Sequence, residues 1–396
     1  MCILFLYHAL GESDNDDPPL ASMDFSAAAK SASVRGRSQG IRGRYKLIAA
    51  SNRDEILDRA TSPIHFWEDA NSSLLAGRDL VAGGTWLGVS RSGKFASVTN
   101  IPSTWDTVLE AMADGRWTSL ASLAYRASGG RGWSAVEASL SLLNSAIFSS
   151  PRGSSLGDRR SRGGLVADFL KGDETAEDYC ARLSKARGRR YGGFNLVVTD
   201  PTGAWLLSNG DGAGITRLEH GFYGVSNATL DAPWPKMVHG KSRVLQVLLR
   251  LAADKTLTED ALVDLLMDVL ADEAPCPPQP SRGPSGRVPK DCWPSRLRVC
   301  VPPSIEPGTW WAWPLQLPWF EAAGKPPQGR AHGTRSSTVV LIDAAGRTKV
   351  VERNLGRGNV DGGSGGGGGK GEDGSSEEML LPMRYAKRTT FEFCDV

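Results

Sequence analysis

Ten short runs of β-forming residues recur along this chain, at 2–7, 46–51, 85–90, 94–99, 194–199, 204–208, 222–226, 336–342, 347–352 and 388–393. Several are joined by tight turn chemistry, as in Thr199-Asp200-Pro201-Thr202-Gly203 and Asp343-Ala344-Ala345-Gly346. Turns that short link neighbouring antiparallel strands, whereas a parallel sheet needs long crossovers. Helical periodicity is confined to the middle of the chain, at roughly 133–148, 173–187, 236–253 and 257–272. In the last of these Leu262, Leu265, Leu266, Val269 and Leu270 share a face, with Thr256 and Glu259 at capping-box spacing. Strands at both ends with helices between them predict an α+β fold, helices packed on antiparallel sheet.

The 46 glycines and 23 prolines are unevenly spread over the 396 residues. Residues 9–44 are polar and carry Arg-Gly pairs; residues 274–333 are proline-rich; residues 355–379 hold five glycines in a row, Gly365 to Gly369. Such compositions bury too little apolar surface to offset the entropy of ordering, so these three stretches are expected to be loops or disordered insertions. The chain is therefore read as one domain over 1–396 with long insertions, rather than as three domains.

Lys+Arg 46 against Asp+Glu 44 leaves a net charge of +2, which provides no basic field for nucleic acid. The six cysteines are scattered and form no C-x-x-C pair, and the five histidines do not cluster near them. A disulfide framework and a zinc site are both disfavoured. No apolar run reaches the roughly 18 residues of a membrane span. The apolar start, Ile3 to Tyr7, has no basic residue before it, and acidic residues follow from Glu12 to Asp17, unlike a secretory leader or a mitochondrial presequence. The expectation is a cytoplasmic protein, whose sequons at Asn71 and Asn227 stay unmodified.

Three motif matches fail on context. Gly153-Ser154-Ser155-Leu156-Gly157 fits a nucleophile elbow but lacks the strand before it and the helix after it. Gly369-Lys370-Gly371 lacks the hydroxyl residue that ends a phosphate loop. The pairs Arg35-Gly36-Arg37 and Arg42-Gly43-Arg44 suit a solvated loop better than an RNA contact.

Cys2 is different. A small second residue permits removal of the initiator Met, which would leave a thiol and a free α-amine on one residue. The amine titrates near roughly 7.7–8.0 and a thiol near about 8.5, so nucleophile and base arrive together. The plainer reading makes Cys2 a small buried residue that starts a strand. The strand Leu47-Ile48-Ala49-Ala50-Ser51 ends in Asn52-Arg53-Asp54-Glu55. A strand end can aim such side chains into a site, or they can form a capped turn with a surface ion pair.

A Met-Cys-Ile start followed by a strand ending in Asn-Arg-Asp-Glu resembles the NRDE family, that of the transport and Golgi organisation protein 2 homologues. Further matches run in order: Gly83-Gly84-Thr85-Trp86-Leu87-Gly88, Thr99-Asn100, Ser161 to Leu165, Gly193-Phe194-Asn195-Leu196, Tyr223 to Ala228 and Pro233-Trp234-Pro235-Lys236. Gly333 to Thr338 and Arg388 to Phe393 complete them. The resemblance implies a four-layer αββα sandwich of two antiparallel sheets, as in N-terminal-nucleophile hydrolases. It implies Cys2 as nucleophile with its amine as base, and Arg53 and Asp54 orienting both, with Glu55 able to share the acid's role. Arg53 would also hold the thiol pKa down. Asn195 or Asn100 would supply oxyanion donors, and Arg335 a second arginine. The Arg53-Asp54 spacing departs from the Arg-x-x-Asp of bile-acid and penicillin acylases.

Each match also has a plain structural reading. Gly83, Gly84 and Gly88 serve tight turns, Trp86 and Trp234 are core aromatics, and Asn195 and Asn227 bond neighbouring backbone. At the level of function the resemblance implies a role in Golgi organisation, protein secretion, and haem or acyl-lipid trafficking and homeostasis, in a cytoplasmic protein associated with Golgi or mitochondria. The alternative is a Cys2-dependent amidohydrolase or thioesterase on a non-peptide acyl substrate. Neither needs a cofactor; haem enters only as cargo, and the expected partner is a small acyl, lipid or haem ligand. A plain interaction protein would leave the polar constellation without a task.

Overall fold

In the computed structural model the described residues are 2–11, 40–70, 73–101, 160–185, 191–210, 213–274, 299–300, 304–305, 331–356 and 384–394. In chain order the elements are β1 (Ile3–His8), β2 (Tyr45–Ile56), β3 (Thr61–Phe66), β4 (Leu74–Asp79), β5 (Leu87–Ser90), β6 (Phe95–Asn100), α1 (Gly163–Lys171) and α2 (Ala176–Lys185). There follow β7 (Phe194–Asp200), β8 (Gly203–Ser208), β9 (Gly214–Leu218), β10 (Gly221–Val225), α3 (Pro235–Ala253), α4 (Glu259–Leu270), β11 (Ser304–Ile305), β12 (Ala331–Asp343), β13 (Arg347–Gly356) and β14 (Arg384–Cys394). The first sheet runs β10-β1-β2-β12-β13-β14, with β11 also paired to β12; the second runs β3 to β9 in chain order. Both are seven-stranded, and every printed pairing is antiparallel.

Side-chain alternation builds the layers. Ile3, Phe5 and Tyr7 of β1 join α3 and α4 residues such as Val244, Leu248, Leu262 and Leu266 in one core. Leu4 and Leu6 point the other way, against Val89, Phe95 and Val197 of the second sheet. On that sheet's far face, Ala96, Val98, Leu196 and Val198 pack on Leu165, Phe169 and Tyr179 of α1 and α2. Three cores separate four layers, helix, sheet, sheet, helix, and the α+β sandwich is established.

All ten expected strands are present, and three expected helices become α2, α3 and α4; the stretch 133–148 lies outside the described residues. The cap of α4 is Thr258, whose side chain accepts from the Ala261 N–H, while Thr256 turns back onto Asp254. Strands β3, β4, β9 and β11 and helix α1 are additions to the expected set. Strand β3 contains Pro63 and a register shift between Ser62 and His65, both tolerated because it is an edge. Helix α1 opens on two glycines without a side-chain cap. Gly84 is not merely a turn residue: a Cβ there would lie 2.4 Å from the Gly163 backbone, so it lets α1 close on the sheet. Gly83, at φ +77°, is the turn residue proper. Parts of two expected insertions are buried: Leu10 and Ile41 near the two ends of 9–44, and Val299 and Cys300 within 274–333.

Candidate active site around Cys2

The β1–β2 ladder ends at Ile3 opposite Asn52, so Cys2 comes level with Arg53 and Asp54. The Asn-Arg-Asp-Glu segment is no surface turn: Asn52, Arg53 and Asp54 are 0%, 4% and 5% exposed. Alternation sends the first two to opposite faces. Asn52 points to the helix layer, where its Nδ2 donates to Leu270 O (2.8 Å) and Val299 O (2.9 Å) and its Oδ1 accepts from Ser337 Oγ (2.7 Å). It thereby caps the last carbonyl of α4 and has a structural role.

Arg53 points between the sheets. Its guanidinium lies 4.1 Å from the centre of the Trp86 ring, Nη1 donates to Thr61 Oγ1 (2.9 Å), and Nη2 is 3.5 Å from Asp79 and 3.8 Å from Glu55. Trp86 is thus core aromatic and cation platform at once, since it also packs on the inter-sheet core. Gly77 makes room for it: a Cβ there would lie 2.4 Å from the indole. Asp79 is fixed by the N–H groups of Val81 and Ala82 and by Arg59 Nε at 2.8 Å. Although burial opposes it, these donors hold its carboxyl below the ordinary range.

Asp54 is opposite Thr334, whose hydroxyl donates to its Oδ1 at 2.6 Å. That pairing depends on a β-bulge in which Arg335 is the extra residue between Thr334 and Ser336. Arg335 Nη1 donates to the carbonyls of Ile56 and Arg59, which clamps the turn after β2. Burial and the neighbouring Arg53 both disfavour its charge. Burial likewise pushes the Asp54 carboxyl up, against the favourable charges of the chain's amino terminus and Lys236.

Cys2 is partly buried, and its sulfur is hydrogen-bonded by the Asp54 N–H. Its thiol pKa is raised, not lowered. Burial is the largest cause; the amino-terminal charge, the Asp54 N–H and Arg53 oppose it without overcoming it. The expected depression by Arg53 is therefore corrected: Arg53 acts in the foreseen direction but loses to desolvation.

The far wall is the segment after β10. Ser226 Oγ lies 2.8 Å from Cys2 O and 3.0 Å from Asn227 Oδ1. Asn195 Nδ2 donates to Ser226 O (3.1 Å) and Ala228 O (2.6 Å), and Thr99 Oγ1 donates to Ser226 O (2.5 Å). Asn227 Nδ2 donates to the carbonyl of Asn100 (2.6 Å). Asn195 thus ties the Ser226–Ala228 segment, whose Ser226 hydroxyl bonds Cys2 O, to the second sheet with both amide hydrogens engaged, and Asn100 contributes its backbone. The structure brings Cys2, Arg53, Asp54 and Arg335 to one end of the first sheet and sets Asn100 and Asn195 across from them. Sequence reading missed Asp79, Thr61 and Glu352, whose buried carboxylate accepts from Ile64 N (2.9 Å). No local motif marks these three. Thr334 and Lys236, by contrast, lie within quoted motifs. Among the described residues no three His, Cys, Asp or Glu side chains gather as metal ligands, and no helix is long and apolar enough to cross a membrane.

The sequence model of the family described as Transport and Golgi organisation 2 matches residues 33–118 and 128–357. The chain belongs to this family. The Transport and Golgi organization protein 2 homolog of Homo sapiens is 29% identical over 321 residues, covering 78% of this chain and 87% of that protein. The Bos taurus homolog is 28% identical over 320 residues with the same coverages. The Drosophila melanogaster protein is 29% identical over 212 residues, covering 50% of this chain and 58% of its own length. Among solved structures, the Caenorhabditis elegans N-acylethanolamine-hydrolyzing acid amidase ortholog is similar over 56% of this chain and 80% of that chain, with 14% identity and a TM-score of 0.33. The fold assignment rests on the sheets and layers described above.

Proposed function

We propose that this member of the Transport and Golgi organisation 2 family is a Cys2-dependent hydrolase of amide or thioester bonds in a non-peptide acyl compound. The observation that carries this reading is the convergence of Cys2, Arg53 and Asp54, with the Asp54 N–H on the Cys2 sulfur. Because burial keeps the thiol protonated, the chemistry needs a base at the moment of attack rather than a standing thiolate. The α-amine of Cys2, exposed by removal of Met1, fills that role. Sγ–H gives its proton to the amine as sulfur adds to the acyl carbon. The C–N or C–S bond then breaks, and the amine's proton goes to the leaving group. Water attacks the Cys2 thioester, releasing the acid and restoring the thiol. Asn195 holds the Ser226–Ala228 segment and would reach an oxyanion only by releasing one of its two carbonyls.

The test is intact-mass analysis during incubation with a panel of amides and thioesters. A transient acyl adduct on Cys2 and a burst of leaving group are expected, both absent from Cys2→Ala. Retention of Met1 in the active protein, or turnover unchanged in Cys2→Ala, would sink the reading. Family membership favours a second reading, a carrier of haem or acyl lipid serving Golgi organisation and secretion. Haem-titrated protein would then develop a Cys2-dependent visible absorption band, without turnover of any acyl compound.

A further inference from the structure

The face of the first sheet turned towards the second changes character along its strands. One cross-strand row is apolar: Leu6, Ala49, Val340 and Val350. The next is Leu4, Ser51, Thr338 and Glu352. In the row after that, Arg53 pairs with Ser336 and Ser336 with Asn354, and Cys2 stands at the β1 end. Polar side chains thus replace the apolar core inside the sandwich, and they do so on the side of Cys2.

Two atoms of this polar zone are left over. Glu352, 1% exposed, uses Oε1 to accept from the Ile64 N–H of β3 and from Asn354 Nδ2, each at 2.9 Å. Among the described residues no hydrogen bond falls on its Oε2. The Ser336 hydroxyl, on a residue 3% exposed, has no hydrogen-bond partner among the described residues. Ser336 pairs with Asn354, two positions from Glu352, so Ser336 and Glu352 are diagonal neighbours on one face. Such neighbours stand about 7–8 Å apart, a gap that one hydrogen-bonding group can bridge. Unmet polar groups in an interior cost stability, and binding sites are where that cost is tolerated.

We propose that Ser336 and Glu352 form a recognition site for a hydroxyl group of the compound held at Cys2. A hydroxyl both donates and accepts, so it can serve Ser336 Oγ and Glu352 Oε2 whichever of them carries the hydrogen. A ligand cation would meet Arg53, the next residue in the Ser336 row, and a ligand carboxylate would meet Glu352. The charged groups acting on Glu352 are Arg53 from β2 and His65 from β3; burial outweighs both and raises its carboxyl above the ordinary range. The two residues determine specificity and take no part in bond breaking. That the hydroxyl belongs to a compound attacked by Cys2 rests on the hydrolase reading above; the site between Ser336 and Glu352 does not.

Ser336→Ala and Glu352→Gln, in the full chain, test the site first by stability. Ser336→Ala removes a hydroxyl without a partner, so its melting temperature should equal or exceed the parent's. Glu352→Gln keeps an acceptor for Ile64 and Asn354. A carboxyl whose pKa is raised on folding gives stability that is full below about 4.5 and lost as pH rises through the folded value. Glu352→Gln should therefore gain on the parent between about pH 4.5 and about pH 8. Recognition is read in Cys2→Ala by saturation-transfer NMR with N-(3-hydroxypropyl)acetamide and N-butylacetamide, which match in size. The hydroxyl amide should bind about tenfold better, and adding Ser336→Ala should abolish that preference. Equal binding, no binding of either amide, a preference that survives Ser336→Ala, or a melting temperature several degrees lower in Ser336→Ala would each overturn the proposal. Should Glu352→Gln fail to fold, Ser336→Ala decides alone. Acylation of Cys2 by S-(3-hydroxypropyl) thioacetate and S-butyl thioacetate, read by intact mass, separates the two readings. A hydroxyl preference in binding without any Cys2 adduct leaves the site standing and removes the hydrolase. Adducts formed equally fast from both thioesters, with no preference in binding, do the reverse.

Discussion

The two ends of β1 bury polar groups in opposite ways. At the Cys2 end, Asn52, Arg53, Asp54 and Thr334 are sealed from water but cross-linked to one another, to backbone and to an aromatic face. At the other end, His8 is 0% exposed, and among the described residues neither ring nitrogen makes a hydrogen bond of full geometry. It stacks on Tyr223 at 5.9 Å and meets His220 edge-on at 6.0 Å. Burial and then His220 push its pKa down to about 4, with the carbonyls of Glu219 and Leu218 opposing weakly. One end keeps its charges by partnering them; the other keeps a titratable ring by leaving it uncharged. Charge that survives burial marks where chemistry is placed, while a neutral buried ring has only the role of an aromatic plate.

The largest test of this contrast is Arg53→Met, which takes the cation from Trp86 and Thr61 and leaves Asp79 and Glu55 with Arg59 alone. Removing one partner of a buried charge network typically costs about 3–5 kcal/mol, to be read by urea unfolding. Arg53→Lys should cost less, because it keeps the charge and loses only the planar fork. A cost for Arg53→Met no larger than for an average surface change would erase the distinction between the two ends.

His8 supplies the next effect, in pH. Its folded pKa of about 4 lies below the ordinary imidazole value of 6.5, so between those values the unfolded chain binds the extra proton. Stability is then full above about pH 6.5 and falls as pH drops towards 4, by roughly 3 kcal/mol in all for a shift of this size. His8→Phe should flatten that part of the profile. What remains belongs partly to His332 at the Cys2 end, whose pKa is also depressed. An unchanged acid limb in His8→Phe would place the whole effect there.

Asn52→Ala separates scaffold from chemistry within the Cys2 end itself. It frees the carbonyls of Leu270 and Val299 and the Ser337 hydroxyl, for about 1–3 kcal/mol in chemical denaturation. Smallest is Thr258→Ala, remote from both ends, which removes the α4 cap for about 1 kcal/mol. A greater loss there than at Asn52 would show that α4 depends on its own cap more than on the sheet.

Most of the fold was legible because the central strands are covered on both faces. Runs such as Ile3 to Tyr7 are apolar throughout and cannot be mistaken for loops. The missed elements lack that cover or that chemistry. Strand β9 is an edge with Ile215, Thr216 and Arg217 exposed, and α1 begins on glycines that only the approach of Gly84 explains. In the site, Cys2 and Arg53-Asp54 could be found from position and motif. Asp79 and Glu352 could not, because each reaches the site across a different strand pairing. Lys236 sat inside a quoted motif, yet nothing in Pro233-Trp234-Pro235-Lys236 announces that its ammonium is enclosed. The direction of the Cys2 shift was misread for a related reason: motif chemistry counts charges, and desolvation is a property of the assembled interior.

The bulge at Arg335 divides β12 into two stretches with different addresses. After it, Ser336, Thr338 and Val340 share the face turned to the second sheet; before it, Thr334 and His332 share the face turned to the helices. Deleting Arg335 would restore even alternation and leave Thr334 opposite Asp54, whereas ironing the bulge out with the residue kept would set Arg335 opposite Asp54 and turn Thr334 to the other face. In that second case Asp54 would lose its hydroxyl partner to the opposite side of the sheet. When relatives of this chain are aligned, a single gap between positions 334 and 336 should therefore carry more weight than a long gap in a surface connection, because it removes the bulge and with it the Arg335 clamp on the turn after β2.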